Sequence, residues 1–329
     1  MSGLNKMKKN GNFKGLKSWL SDLKKIHLFA LLTIIFSIIS SLSEWHHLLE
    51  LTSHFKLHYL LASLFFIVVY LLKKNFPLVM FMSLVALFNG LYLLPWYITN
   101  SSGISENHAN TIKVIHSNVH TSNKQYEKFR QFINQESPDV FVVQEVNRLW
   151  VDQLKELDQE YPNRVIRARE DNFGIALYSR LPIIRSEIIH PGNAGLPSIK
   201  VHLAFNHREI TLITTHPLPP INKAYYKDRN AQLAEVSELA ATINTPMIII
   251  GDLNVTMWSH TYIGFQETSE LINVRQGFGV LPTWPSNLAF LGIPIDHALV
   301  SADFEVLSMK TGINIGSDHL PIVVKLALN

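Results

Sequence analysis

The chain has 329 residues, of which 47% are hydrophobic and only 17% charged, against roughly 25% charged in an ordinary soluble protein. That balance excludes intrinsic disorder and raises the expectation of membrane segments, while the complete lack of cysteine excludes disulfides, thiolate metal sites and a cysteine nucleophile. The net charge of +3 averages two unlike parts: the first hundred residues hold 10 basic residues against Asp22, Glu44 and Glu50, and the rest holds 19 basic against 23 acidic.

In chain order, residues 1–25 carry Lys6, Lys8, Lys9, Lys14, Lys17, Lys24 and Lys25 against Asp22 alone, which by the positive-inside rule places the N-terminus in the cytoplasm. Three uncharged apolar runs follow at residues 26–42, 57–72 and 78–98, and Lys56, Lys73 and Lys74 bracket the second. The third is long enough to cross a bilayer core at about 1.5 Å per residue. The first two reach that length with their flanks, through snorkelling lysines and the interfacial Trp45. Residues 26–98 therefore predict a three-helix transmembrane region whose partner is the lipid bilayer. Three crossings put Lys73 and Lys74 in the cytoplasm and the remainder of the chain on the other side, the periplasm or exterior in a bacterium; two crossings would reverse that placement.

Residues 99–110 are polar and turn-rich and read as a linker. Beyond them, the body at residues 111–329 alternates short β-type runs with helical stretches. Strands are expected near residues 112–115, 140–143, 174–178, 199–203, 210–215, 247–250, 298–300 and 322–326, and helices near 124–135 and 226–243. Pro138, Pro182, Pro246 and Pro321 stand beside strands, where proline is tolerated at entries and edges. The pattern fits one sizeable α/β core.

Polar residues collect at the strand ends: Ile115-His116-Ser117-Asn118, Val143-Gln144-Glu145, Thr214-Thr215-His216, Gly251-Asp252-Leu253-Asn254, Ile295-Asp296-His297 and Ser317-Asp318-His319. Buried carboxylates are costly at such places unless they are paired or bind metal. Glycine before Asp252 permits a tight turn, from which Asp252 and Asn254 project together to orient a water and stabilise developing charge. Taken singly, Asp252 also suits a helix cap or turn, Glu145 a solvated strand end, and His216 and His319 structural histidines.

In their order, these motifs make residues 111–328 resemble the endonuclease/exonuclease/phosphatase superfamily, which takes in DNase I-like nucleases, abasic-site endonucleases, neutral sphingomyelinases and inositol polyphosphate 5-phosphatases. The resemblance implies a four-layer α/β sandwich, two packed mixed sheets flanked by helices, with the site at one end of the sheets. It implies that Glu145 is the carboxylate ligand of magnesium or manganese, with Asn118 beside it and Asp318 supporting the metal or histidine network. It implies that Asp252 orients or deprotonates the attacking water, Asn254 contacts phosphoryl oxygens, His319 contacts the scissile phosphate with Asp296 behind it, and His216 serves the leaving group or the transition state. Arg229 and Trp284 are expected at the substrate, although an arginine on a helix also suits a solvated face and Trp284 either stacks on a base or sugar or packs its loop.

The expected activity is hydrolysis of a phosphoester, most simply a phosphodiester, by a membrane-anchored, divalent-metal-dependent enzyme. The substrate is nucleic acid or a phospholipid headgroup. The alternative is a non-catalytic binding or scaffold protein on the same fold. The body's acidic balance lacks the long basic cluster that tracks nucleic-acid phosphates.

Overall fold

The computed structural model of the chain describes residues 24–98 and 110–329. The lysines before Lys24 and the expected linker up to residue 109 lie outside the described residues. Two helices in the N-terminal part, α1 (Lys24–Leu42) and α4 (Phe76–Leu93, carried on to Trp96 by a 3-10 turn), are long and apolar enough to cross a membrane.

The expected third span is corrected. The middle run forms α3 (Lys56–Leu72), only 17 residues, and the preceding α2 (His47–Ser53) meets it at a bend of 60°. At about 1.5 Å per residue α3 reaches roughly 25 Å, short of the ~30 Å hydrocarbon core. Nor does Lys56 snorkel to lengthen it. Its ammonium is buried, donating to Ser40 Oγ at 2.7 Å and lying 3.9 Å from the centre of the Tyr92 ring. Because His27 at the start of α1 meets Tyr70 near the end of α3, while Ser40 meets Lys56, α3 runs antiparallel to α1. The outward faces carry Phe29, Phe65, Leu84 and Leu87, all exposed, a surface matched to hydrocarbon rather than water.

The body is built on two six-stranded mixed sheets. The first runs β11 (Phe304–Thr311), β12 (Ile322–Leu328), β1 (Thr111–Asn118), β2 (Val140–Gln144), β4 (Ile175–Ser179), β3 (Asn163–Arg167). The second runs β5 (Ile183–Ile189), β6 (Ser198–Phe205), β7 (Arg208–Thr215), β8 (Met247–Asp252), β10 (Asp296–Val300), β9 (Ile272–Asn273). Ile112, Val114, Val140 and Val142 of one sheet meet Ile199, Val201, Ile248 and Ile250 of the other in a shared core. The alternate residues face outward onto helices. Ile115, Phe141 and Val143 pack under α5 (Tyr126–Glu136) and α6 (Arg148–Leu154), and Ile213, Ile249 and Leu299 under α7 (Lys223–Ala241) and α8 (His260–Ser269). Central strands are thus buried on both faces, which is why they read as unbroken apolar runs.

Both expected helices form with shifted ends. In α5, Phe129, Phe132 and Ile133 supply the buried stripe, and Ser137 in the left-handed region closes the helix with its N–H on Ile133 O. In α7, Asn222 caps the start by accepting from Ala224 N and Tyr225 N, and Leu233, Val236 and Ala240 face the core. All four prolines come just before strands, ahead of β2, β5, β8 and β12. The strands absent from the sequence expectation are β3, β5, β9 and β11, the four edge strands.

Candidate active site

Parallel pairing of β1 with β2 and of β7 with β8 brings the C-terminal ends of these strands to one end of the sandwich. Asn118 closes β1, Glu145 follows β2, His216 follows β7 and Asp252 closes β8. Antiparallel β10 starts there, with Asp296 directly opposite Asp252, and His319 lies in the loop entering β12. Gln144 ties the two sheets together: its amide donates to Thr214 Oγ1 (3.1 Å) and Thr215 O (2.9 Å), and its Oε1 accepts from Asp252 N (3.0 Å). Only glycine fits at 251, since a Cβ there would stand 2.3 Å from Thr215 O and 2.7 Å from Gln144 Nε2.

Asp252 is the hub. Its Oδ1 accepts from Asn254 N at 2.9 Å; its Oδ2 lies 3.3 Å from Asn118 Nδ2 and 3.6 Å from both His216 Nε2 and His319 Nε2. His319 Nδ1 sits 2.9 Å from Asp296 Oδ2. Asn118 Nδ2 also donates to Glu145 Oε1 at 2.9 Å, so one amide links the two carboxylates. Glu145 and Asn254 hold φ of +61° and +52°, a left-handed backbone that costs non-glycine residues energy and concentrates at functional sites.

The charges sort themselves by environment. Burial alone would lower the His319 pKa, but the carboxylates of Asp296 and Asp252 outweigh it and hold the imidazole protonated, up to about 10. Burial and the charge of His319 push His216 down to about 3, so it is neutral at pH 7. Burial, reinforced by Asp296 and Glu145, raises Asp252 against the pull of His319; Asp296, desolvated but bonded to His319, is held below the usual carboxylate range. A protonated imidazole and a carboxylate of raised basicity are therefore neighbours, the pairing that acid–base chemistry uses.

Glu145 is buried, its pKa raised chiefly by desolvation, and it faces the cavity. Its carboxylate and that of nearby Asp252 offer the hard oxygen donors a divalent cation takes, and the Asn118 NH2 joins the two. Ligand atoms of Asp252, Asp296 and His319 also lie within 4.8 Å of one another. That second cluster also works as an ion network, in which the two carboxylates hold the His319 imidazole protonated.

The structure gathers Asn118, Glu145, His216, Asp252, Asn254, Asp296 and His319 at one place. Asn254 lines the cavity while its side-chain amide donates to Pro217 O. Trp284 is on the cavity wall, and its indole N–H donates to Asp318 at 3.1 Å. Asp318 is an exposed rim residue engaged with Trp284; its charge helps to raise the His319 pKa, and Ser317, 3.5 Å from its Oδ1, donates to Asn118 O at 2.8 Å. Arg229 is corrected. It is fully buried, donating to Asn254 O and pairing with Glu50 of α2, so its guanidinium supports the site from behind and is closed to substrate.

Sequence reasoning noted Gln144 and His116 at the strand ends but gave neither a role. The latter is buried with its Nδ1 3.3 Å from Asp296 Oδ1. Both sit inside apolar strand runs, and their polarity there was the one available signal. If Asp296 sustains the charge on His319, Asp296→Asn moves the alkaline limb of the pH–rate profile down. Activity that needs the imidazolium persists in the native protein until the pH rises through about 10, and in the variant falls away nearer the ordinary histidine value of 6.5. Coincident alkaline limbs for the two proteins would disprove this assignment.

A model of the endonuclease/exonuclease/phosphatase family matches residues 114–319, more than half of the chain. No curated protein matches the sequence. Similar solved structures include humanized D. rerio TDP2 (18% identity, TM-score 0.57, covering 66% of this chain and 98% of that one). The human Nocturnin catalytic domain, solved with a bound sulfate anion, is similar at 18% identity and TM-score 0.56, covering 67% of this chain and 95% of its own. An endonuclease/exonuclease/phosphatase from Beutenbergia cavernae aligns at 18% identity and TM-score 0.55, over 67% of this chain and 72% of its own. At such identities these likenesses concern the fold.

Proposed function

We propose a function from one premise: the chain belongs to the endonuclease/exonuclease/phosphatase family. Its body hydrolyses a phosphodiester, with Asp252 as base, His319 as acid, and Glu145 with Asn118 holding magnesium or manganese. The observation that carries this reading is the sharing of one cavity by Glu145, Asp252 and a His319 whose proton is secured by Asp296.

A metal at Glu145 supplies positive charge against the non-bridging phosphoryl oxygens. The protein's own groups do the rest. Asp252, fixed by Asn254 N and Gln144, takes a proton from water as the water oxygen bonds to phosphorus. The ester P–O bond breaks, its electron pair stays on the leaving oxygen, and His319 Nε2 supplies the proton that neutralises it. Asp252 Oδ2, 3.6 Å away, then returns the water's proton to His319 and both groups are reset. Neutral His216, also 3.6 Å from Asp252 Oδ2, orients, since it holds no extra proton to give.

For placement, the lysine end of the helices supports a cytoplasmic N-terminus. Lys24 and Lys25 open α1, and Lys73 and Lys74 follow α3 at the end where His27 meets Tyr70. The opposite end meets the body, where Ser43 Oγ accepts from His260 N and Trp96 O accepts from Gly277 N and Gly279 N.

The test is phosphodiester hydrolysis by the full chain in detergent, with magnesium, with chelator, and with magnesium or manganese restored. Turnover that disappears with chelator and returns with metal is expected. A folded protein that cleaves no phosphodiester under any of these conditions would favour the scaffold reading.

A further inference from the structure

A cavity of about 900 Å³ opens from the catalytic groups, and its far wall does not belong to the body. Leu51, His54 and Phe55, at the bend between α2 and α3, line it together with Pro219, Ile221 and Ile293 from the body's loops. Two contacts fix that corner against the body: His54 Nδ1 meets Thr256 Oγ1 at 3.0 Å, and His58 Nε2 meets Leu291 O at 2.7 Å. The second contact brings the turn bearing Phe290, 72% exposed, beside the first turn of α3. Phe55 and Ile221 are 40% and 73% exposed, large apolar surfaces at the mouth of a polar site.

Among the described lining residues there is no lysine or arginine. A nucleic-acid strand brings a row of phosphates and asks for a basic track along it. This chamber instead joins the polar groups around Asp252 and His319, with Asp171 and Asn172, to a predominantly apolar surface, and that surface is partly built by the segment joining the two candidate membrane spans.

We infer that the α2–α3 corner is the wall of a hydrocarbon subsite, in which Leu51, Phe55 and Ile221 hold the acyl or alkyl part of an amphiphilic phosphodiester, a membrane lipid, while its phosphate lies at Asp252 and His319. The inference rests on the hydrolase reading above. On this arrangement the bilayer delivers the substrate, and the N-terminal helices take part in recognition as well as anchoring. Apolar contact is non-directional and grows with the area removed from water, so the subsite selects for chain length more than for headgroup.

The experiment is hydrolysis by the full chain, in detergent with magnesium, of p-nitrophenyl alkyl phosphodiesters from ethyl to octyl. The expected result is a kcat/KM that climbs with chain length, by up to about fourfold for each methylene buried. Phe55→Ser and Ile221→Ser flatten that slope. Partition of longer chains into detergent is the same for native and variant proteins, so the difference in slope belongs to the cavity, and a merely structural defect would lower every ester alike. Ile221 is exposed enough that its replacement leaves folding unaffected, which keeps the test sound if Phe55→Ser folds poorly. Metal-dependent hydrolysis with no chain-length dependence, or with equal slopes in native protein and Ile221→Ser, overturns the subsite and leaves the hydrolase standing. No hydrolysis of any ester overturns both.

Discussion

Asp252→Asn is expected to lower turnover by about 10²- to 10⁴-fold, the range over which a positioned general base contributes, without weakening the fold. Asparagine keeps the shape and keeps an oxygen to accept from Asn254 N, but it binds no proton from water. Burial is the largest cause of the raised Asp252 pKa, so its charge is held at a cost that a neutral amide does not incur. The variant should melt no lower than the native protein. His319 loses one of the two carboxylates that sustain its proton, and its pKa moves down with the rate. Turnover within about threefold of native, with the metal saturating, would remove Asp252 from the chemistry.

The largest expected stability effect lies where the N-terminal part meets the body. Glu50 of α2 and Arg229 of α7 form an ion pair in which neither side chain is exposed, and Glu50 also accepts from Ser259 Oγ and Thr261 Oγ1 of the segment entering α8. Removing one member of such a pair strands the other charge in a dry interior, which costs about 3–5 kcal/mol. Glu50→Ala and Arg229→Ala should each lower the thermal midpoint of the full chain in detergent by many degrees. The double substitution Glu50→Leu with Arg229→Met should recover much of the loss, since a buried pair replaced by apolar groups of similar volume is often nearly neutral. Because Arg229 Nη1 also donates to Asn254 O, the single variants should lose activity beyond what unfolding explains. Additive single effects in the cycle would show the pair to be uncoupled. The same contact means that a body cut away from its helices keeps Arg229 without its partner.

The strand ends of the candidate site were legible because two signals coincide there. Val140–Gln144 and Met247–Asp252 are buried on both faces, so each reads as an apolar run, and the first carboxylate after or at its end stands out. Edge strands gave no such run. β5 shows only intermediate and exposed residues, β3 has just Val165 and Ile166 between two arginines, and β9 has two residues. A strand paired on one side and facing solvent carries too little buried side chain to mark itself, and charge on an edge discourages pairing with other chains.

By itself the sequence determined which polar residues stand at the strand ends and the strands that carry them, since burial of a strand and polarity at its end are local properties written in adjacent letters. It also determined that the first hundred residues contain helices apolar enough for a membrane. Only the tertiary structure decided which charges persist: His216 and His319 look alike as letters, and the carboxylates facing His319 separate a neutral imidazole from a protonated one. It decided that Lys56 is buried instead of snorkelling, so that α3 stays short. It also joined Glu50 to Arg229, 179 positions apart, and set Phe55 against the catalytic cavity. Such partners are chosen by packing between distant segments, and neither residue's neighbours in the chain record the choice.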